Sequence, residues 1–294
     1  MSDDTSRDAA IRALSDWNIS VKSVEPLTMT ENIVFKVTDQ SGLAYVLRLH
    51  RPGYHTLKEL ISEQRWTAAL LDDGLDVPVP RTTCDGQAYT SINVDDEHRY
   101  VGLLEWVDGV PMQSLIENNP DAGFITESFS LLGGIMAECH NQAVSWTLPE
   151  AFARHSFDAD GLMGEGPFWG RFWESASLTT AQQAYFDKLR RHIHAVLDSL
   201  GKDTPTYSLI HADLHPDNIV VDGQRLHVID FDDSGFGWHQ YDIAVALFNY
   251  QIDQPYDQLL DALVRGYRKV RPISNAALAH VPLFLLIRAL VSIG

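Results

Sequence analysis

The chain of 294 residues holds two cysteines, Cys84 and Cys139. Two thiols do not make the disulfide framework of a small secreted domain, so a reducing cytoplasm is the expected compartment. Basic residues are scarce as well: 22 Lys and Arg stand against 40 Asp and Glu, a formal net charge of −18. Nucleic acids and anionic membranes need basic patches, so neither is an expected partner. Long apolar runs are missing. The longest near the end, "VPLFLLI" at 281–287, is stopped by Arg288, far short of a bilayer span. The opening "MSDDTSRDAA" carries acids where a signal peptide carries positive charge and then an apolar stretch. The last residues, "LLIRALVSIG", sit inside an apolar helical pattern without a cap, which raises the expectation of a truncated chain.

What is present is an ordinary globular composition, 45% hydrophobic and 21% charged, in a chain long enough for one or two domains. Ala10, Ala13, Leu14 and Trp17 recur at helical spacing over residues 6–17. "ISVKSV", "NIVFKVT" and "LAYVLRLH" read as strands, the last two joined by the turn signal "DQSG". A helix is expected from about Thr56 to Asp73, closed by Gly74, and two further strands in "QAYTSINV" and "RYVGLLEWV". "DGVPM" reads as a linker. Beyond it helices dominate: Phe129, Leu132, Met136 and Cys139 mark one apolar face. Tyr185, Phe186, Leu189, Ile193, Val196, Leu197 and Leu200 mark another, opened by a capping box from Thr180 to Gln183. The outline is α+β: a sheet-rich N-terminal lobe over residues 1–107 and a mainly helical lobe over 108–294.

The chemistry concentrates in "LIHADLHPDNIVVDGQRLHVIDFDD", residues 209–233. "NIVV-DG-QRLHVI" is a hairpin signal, with the chain expected to fold back at Asp222 and Gly223. That brings Asn218 and Asp230 to the open end, with Asp213 on the loop leading in. A buried carboxylate costs several kcal/mol or more unless it is paired. One amide and two carboxylates converging there suit Mg²⁺, which takes hard oxygen ligands together with phosphate oxygens and water. Read by itself, "HADLH" is also His-x-Asp-x-His, the pattern of a transition-metal hydrolase site.

His211-Ala212-Asp213, then Asn218, then Ile229-Asp230-Phe231 resemble the catalytic and metal loops of the protein-kinase-like fold. The variant is that of the aminoglycoside phosphotransferase, choline kinase and homoserine kinase superfamily. The resemblance runs from about Ser20 to the C-terminus. It implies a two-lobed fold and transfer of the γ-phosphate of ATP to a hydroxyl. Asp213 would then orient the attacking hydroxyl and accept its hydrogen, Asn218 and Asp230 would hold Mg²⁺, Asp242 would help hold the loop and His211 would pack beneath it. The Lys that kinases place on the third strand is replaced by Arg48 in "YVLRLH", with Glu63 as its implied partner. Lys36, one strand earlier, is expected to point elsewhere. "LLEWVDG" looks like the hinge, where the Glu105 carbonyl and the Val107 amide would bond adenine. No GxGxxG is present, so Thr28, Thr30 and Asn32 would supply the phosphate loop.

The acidic charge and the habit of the superfamily imply a small, cationic, amine-bearing hydroxyl acceptor: an aminoglycoside, an amino alcohol or a homoserine-like compound. Trp169, Trp173, Trp238 and Tyr241 would line its site by cation–π contact or else form core. Asp232, Asp233, Asp253 and Asp257 would supply negative potential or else lie solvated. A protein hydroxyl as acceptor, as in bacterial stress-response kinases, and a non-catalytic nucleotide-binding module are the alternatives.

Overall fold

A computed structural model describes the chain at every residue except Met1, Ser2, Glu31, Pro120, Thr204, Asp253, Gln254 and Gly294. Asp253, among the acids considered for an amine site, therefore lies outside the described residues. Two compact units emerge: residues 1–108 with 149–153, and residues 109–148 with 154–294.

The first unit is built from α1 (Asp3–Ala13), β1 (Val21–Met29), β2 (Ile33–Asp39), β3 (Ala44–Leu49), α2 (Leu57–Asp72), β4 (Thr90–Val94) and β5 (Glu97–Glu105). Its five strands form an antiparallel sheet in the order β1-β2-β3-β5-β4. Alternation decides its faces. Ile33, Phe35 and Val37 of β2 and Tyr45, Leu47 and Leu49 of β3 point into one core with Ala9, Ala10, Ala13, Leu14 and Trp17 of the N-terminal helical segment. Each of the Ile, Val, Leu and Phe side chains among them contributes about 1.5–3 kcal/mol on burial. The residues between them face the other way. There Arg48 pairs with Val34 and Gly102, and Lys36 with Val46. Lys36 and Arg48 thus share a face, against the expectation that they diverge: paired residues on adjacent strands always project to the same side. Lys36 ends 3.9 Å over the Trp106 ring.

Helix α2 stands on that face too. A Cβ at Gly102 would lie 2.6 Å from the Tyr89 ring. The Tyr89 hydroxyl donates to the Leu60 carbonyl of α2 at 3.3 Å. The helix begins at Thr56, whose hydroxyl accepts from the Glu59 N–H while the Glu59 carboxylate reaches back to the Thr56 N–H, a complete capping box. It ends before Gly74, at φ +90°.

The second unit contains β6 (Val110–Pro111), α3 (Met112–Asn118), α4 (Ala122–Ser145), β7 (Ser156–Phe157), α5 (Ala159–Met163), α6 (Thr180–Ser199) and β8 (Tyr207–Ile210). It continues through β9 (Ile219–Asp222), β10 (Arg225–Val228), β11 (Gly235–Trp238), α7 (His239–Leu247), α8 (Tyr256–Val270), α9 (Asn275–Leu278) and α10 (Val281–Val291). Its core is the crossing of α4 and α8. Phe129, Leu132, Met136 and Cys139 are buried on one helix, and Leu259, Ala262, Leu263 and Tyr267 on the other. Glycines set the distance: a Cβ at Gly133 would fall 2.0 Å from the Leu263 carbonyl oxygen, and one at Gly266 1.8 Å from that of Ser130.

Three local expectations shift. The capping box of α6 is Thr179 with Gln182, one residue earlier than read, and Tyr185 on that helix is exposed. "DGVPM" is more than a linker, since Val110 and Pro111 pair with β9. In the 219–228 hairpin Asp222 pairs with Arg225, so Gly223 and Gln224 make the turn, with Gly223 at φ +60°. The register still delivers Asn218 and Asp230 to the open end.

Candidate active site

The loop from His211 to Asn218 joins β8 to β9 and is shaped from beneath by Asp242 on α7. One Asp242 oxygen accepts from the Ala212 N–H at 2.7 Å, the other from the His211 N–H at 3.1 Å. This anchor holds Ala212 at φ +66°, a left-handed conformation that costs a non-glycine residue about 1 kcal/mol or more. Asp242 is fully buried, and burial pushes its carboxyl up to about 6. It shares its second oxygen with His140 Nε2 at 3.0 Å, and His140 Nδ1 lies 2.9 Å from the Tyr267 hydroxyl. Burial, with the charge of Arg271, drives His140 down to about 3, so the ring is neutral and donates its single proton to the carboxylate.

His211 is buried and committed to the fold. Its Nε2 donates to the Ile229 carbonyl at 3.0 Å, and its Nδ1 accepts from the Asp213 N–H at 3.3 Å. With both nitrogens engaged, His211 has none left for a metal, so the His-x-Asp-x-His hydrolase reading fails.

Asp213 stands at the centre. Arg288 Nη2 donates to its Oδ1 at 2.9 Å, while His215 Nε2 and Asn218 Nδ2 lie 3.2 Å and 3.1 Å from its Oδ2. Burial raises the Asp213 carboxyl. The His215 hydrogen bond and the charges of His215 and Arg288 outweigh it, so Asp213 lies below the ordinary carboxylate range. His215 is the mirror case: burial lowers it, but Asp213 and Asp217 raise it above an ordinary imidazole. The sequence reading left His215 without a role and passed over Arg288. The signal for Arg288 was there: a guanidinium inside "PLFLLIRAL" needs a buried partner.

Asn218 is buried, and its NH₂ is spent on Asp213, donating to the backbone oxygen at 2.8 Å as well as to the side chain. That orientation turns its Oδ1 away from Asp213. The Ile229 N–H donates to the Asn218 carbonyl at 3.0 Å, so Asp230 follows directly at the hairpin mouth, exposed and at φ +64°. An amide oxygen and an exposed carboxylate beside a second carboxylate fit a hard divalent cation. Asp213 and Asn218 are in direct contact, and Asp230 is tied to them through Ile229.

The aromatics separate. Trp238 and Tyr241 are core, and Trp173 is buried with the Arg190 guanidinium 4.3 Å from its ring. Trp169 has the Arg288 guanidinium carbon 5.4 Å from its ring centre and stacks on Tyr241, 6.0 Å between ring centres.

In the first unit, Glu63 is buried on α2, which stands on the Arg48 face of the sheet. Glu105 ends β5, donates its N–H to Val79 O at 2.8 Å and places its carboxylate 3.2 Å from Arg81. The backbone N–H and C=O of Val107 have no protein partner among the described residues. Asn32 serves the fold: its side-chain oxygen accepts from the Arg51 N–H at 2.9 Å.

The model of the phosphotransferase enzyme family matches residues 23–273. The chain belongs to that family. The resemblance read from His211 to Phe231 and the α+β, kinase-like fold class are borne out. The phosphotransferase is similar to a solved microcompartment-associated aminopropanol kinase, 32% identical with a TM-score of 0.84, over 98% of this chain and 88% of that one. It is 25% identical to amicoumacin kinase of Bacillus subtilis (strain 168), over 96% of this chain and 82% of the relative. A solved amicoumacin kinase in complex with AMP-PNP, Ca²⁺ and Ami shares the fold, with a TM-score of 0.82 at 20% identity over 97% of this chain and 84% of that one. The phosphotransferase therefore acts on a hydroxyl and stands close to small-molecule kinases. Among the described residues no helix is long and apolar enough to cross a membrane.

Proposed function

We propose that the phosphotransferase moves the γ-phosphate of ATP to a hydroxyl of a small molecule that carries an amine. The observation that carries this reading is Asp213, held at both carboxylate oxygens and kept ionised, with the Asn218 amide against it. An ionised carboxylate fixed at both ends orients an alcohol and takes its proton as the bond to phosphorus forms, with positioning supplying most of the rate. Asn218 Oδ1 and the Asp230 carboxylate would hold Mg²⁺, which would neutralise charge on the phosphate oxygens. Arg48, steadied by Glu63, is assigned to phosphate oxygens, and the backbone of Glu105 and Val107 to adenine. Arg48 brings a planar fork where a lysine would bring a point charge, so its grip on phosphate is bidentate. The amine is supported by the names of the relatives and by the net charge of −18.

The test is ADP release with ATP and Mg²⁺ over amino alcohols, aminoglycosides and homoserine-like compounds. Turnover on one of these well above the rate with water is expected. A flat response across all three classes, with phosphate appearing instead on a protein, would transfer the reading to a protein kinase.

A further inference from the structure

The segment after α4 leaves the second unit, joins the first over residues 149–153, and re-enters the second at Arg154. Inside the first unit it is fastened to α2 twice. The Ala153 N–H donates to the Ser62 hydroxyl at 2.9 Å, and Arg65 Nη1 donates to the Glu150 carbonyl at 3.3 Å. Ser62 is fully buried, its own hydrogen given to the Lys58 carbonyl, so its position follows the helix closely. The next residue on α2 is Glu63.

One peptide bond further on, the segment grips the loop that follows Asp230. The buried Arg154 guanidinium donates to the backbone carbonyls of Asp232 and Ser234, with that of Phe231 at 3.5 Å. His155 Nε2 lies 3.1 Å from the Asp233 carbonyl, and the His155 carbonyl accepts from the Phe236 N–H at 2.9 Å. The fit is close enough that a Cβ at Gly235 would fall 2.8 Å from the His155 oxygen. Every one of these bonds reaches backbone, so the clamp governs the path of the loop whatever side chains it carries. That path fixes Asp230, which already sits in a left-handed conformation at φ +64°.

We propose that Arg154 is a positioning residue: by gripping the backbone of residues 231–234 it holds the Asp230 loop ready for a divalent cation. The proposal rests on the reading of Asp230 as a metal ligand.

The test compares Arg154→Met and Arg154→Lys with the parent chain, by amide exchange of residues 231–236 without metal or nucleotide and by Mn²⁺ titration with AMP-PNP. Arg154→Met is expected to speed exchange in this loop selectively and to weaken Mn²⁺ about tenfold or more, the scale of lost support behind a metal ligand. Arg154→Lys should fall between, since an ammonium cannot span several carbonyls. Parent-like loop exchange in Arg154→Met overturns the clamp, and so does loosening spread evenly over the unit. Should Arg154→Met fail to fold, Arg154→Lys decides by the same criteria. If the parent chain itself binds no Mn²⁺ with AMP-PNP, the metal reading falls, while loop exchange still judges the clamp.

Discussion

Replacing Arg288 by methionine removes a guanidinium 2.9 Å from Asp213 while keeping most of the apolar stem. The two side chains are 22% and 24% exposed, so the pair is neither a surface bridge nor fully dry. Two unit charges about 4 Å apart attract by about 4 kcal/mol at an effective dielectric near 20. Water reaching a quarter of each group offsets part of that, leaving a cost of about 1–3 kcal/mol, between exposed and buried pairs. Arg288 lowers Asp213, so its removal moves the acid limb of the kcat/KM–pH profile to higher pH. The same linkage appears in stability. Asp213 has a folded value below its ordinary 3.8, so the stabilisation from its partners is present above 3.8 and is lost as pH falls through the folded value. Thermal melts of Arg288→Met should therefore lie below wild type by roughly 2–5 °C at pH 7, and the gap should close on acidification below 3.8. An unmoved acid limb, or a gap as wide in acid as at neutrality, would refute the assignment of Arg288 as a partner that tunes Asp213.

Asp213→Asn should abolish ADP release while nucleotide affinity, read by calorimetry, stays within a few-fold; wild-type-like turnover would remove Asp213 from its role. Asp242→Asn replaces an acceptor of two backbone N–H groups by a side chain with one acceptor and one donor group, and should cost about 3 kcal/mol or more along with most turnover. Asp242 titrates at about 6 in the fold against 3.8 ordinarily, so its contribution to stability is full below 3.8 and lost as pH rises through about 6. Urea titrations of the Asn variant should lack that slope; an unchanged slope would mean another group titrates. Gly266→Ala drives a methyl toward the Ser130 carbonyl oxygen at the α4–α8 crossing and should destabilise by about 1–3 kcal/mol, seen as a lower urea midpoint.

The parts of the site that were readable are those set by near neighbours in the chain. The 219–228 hairpin announced itself through two apolar runs around a glycine, and its register follows from pairing even though the turn lies one residue later than the Asp-Gly signal suggested. The helix over residues 57–72 was visible from its apolar spacing and from Gly74. Arg288 and Arg154 escaped because their partners lie 75 and about 80 residues away, and such contacts leave no periodic trace. Lys36 was misplaced for a different reason: which face a strand residue takes depends on register against its neighbour, and that is fixed only when β2 and β3 pair.

The Asn218 side chain carries two opposite chemical ends, and the fold uses one of them to tether Asp213. Exchange for aspartate would keep an oxygen for a cation but set two negative groups against each other about 3 Å apart, loosening the neighbour that must stay fixed. Exchange for alanine would free both partners at once. On the proposed roles, the ruler between proton acceptor and cation would be a single planar amide, indifferent to which alcohol arrives. Diversification toward new acceptors would then leave that ruler untouched and remodel the surrounding walls instead.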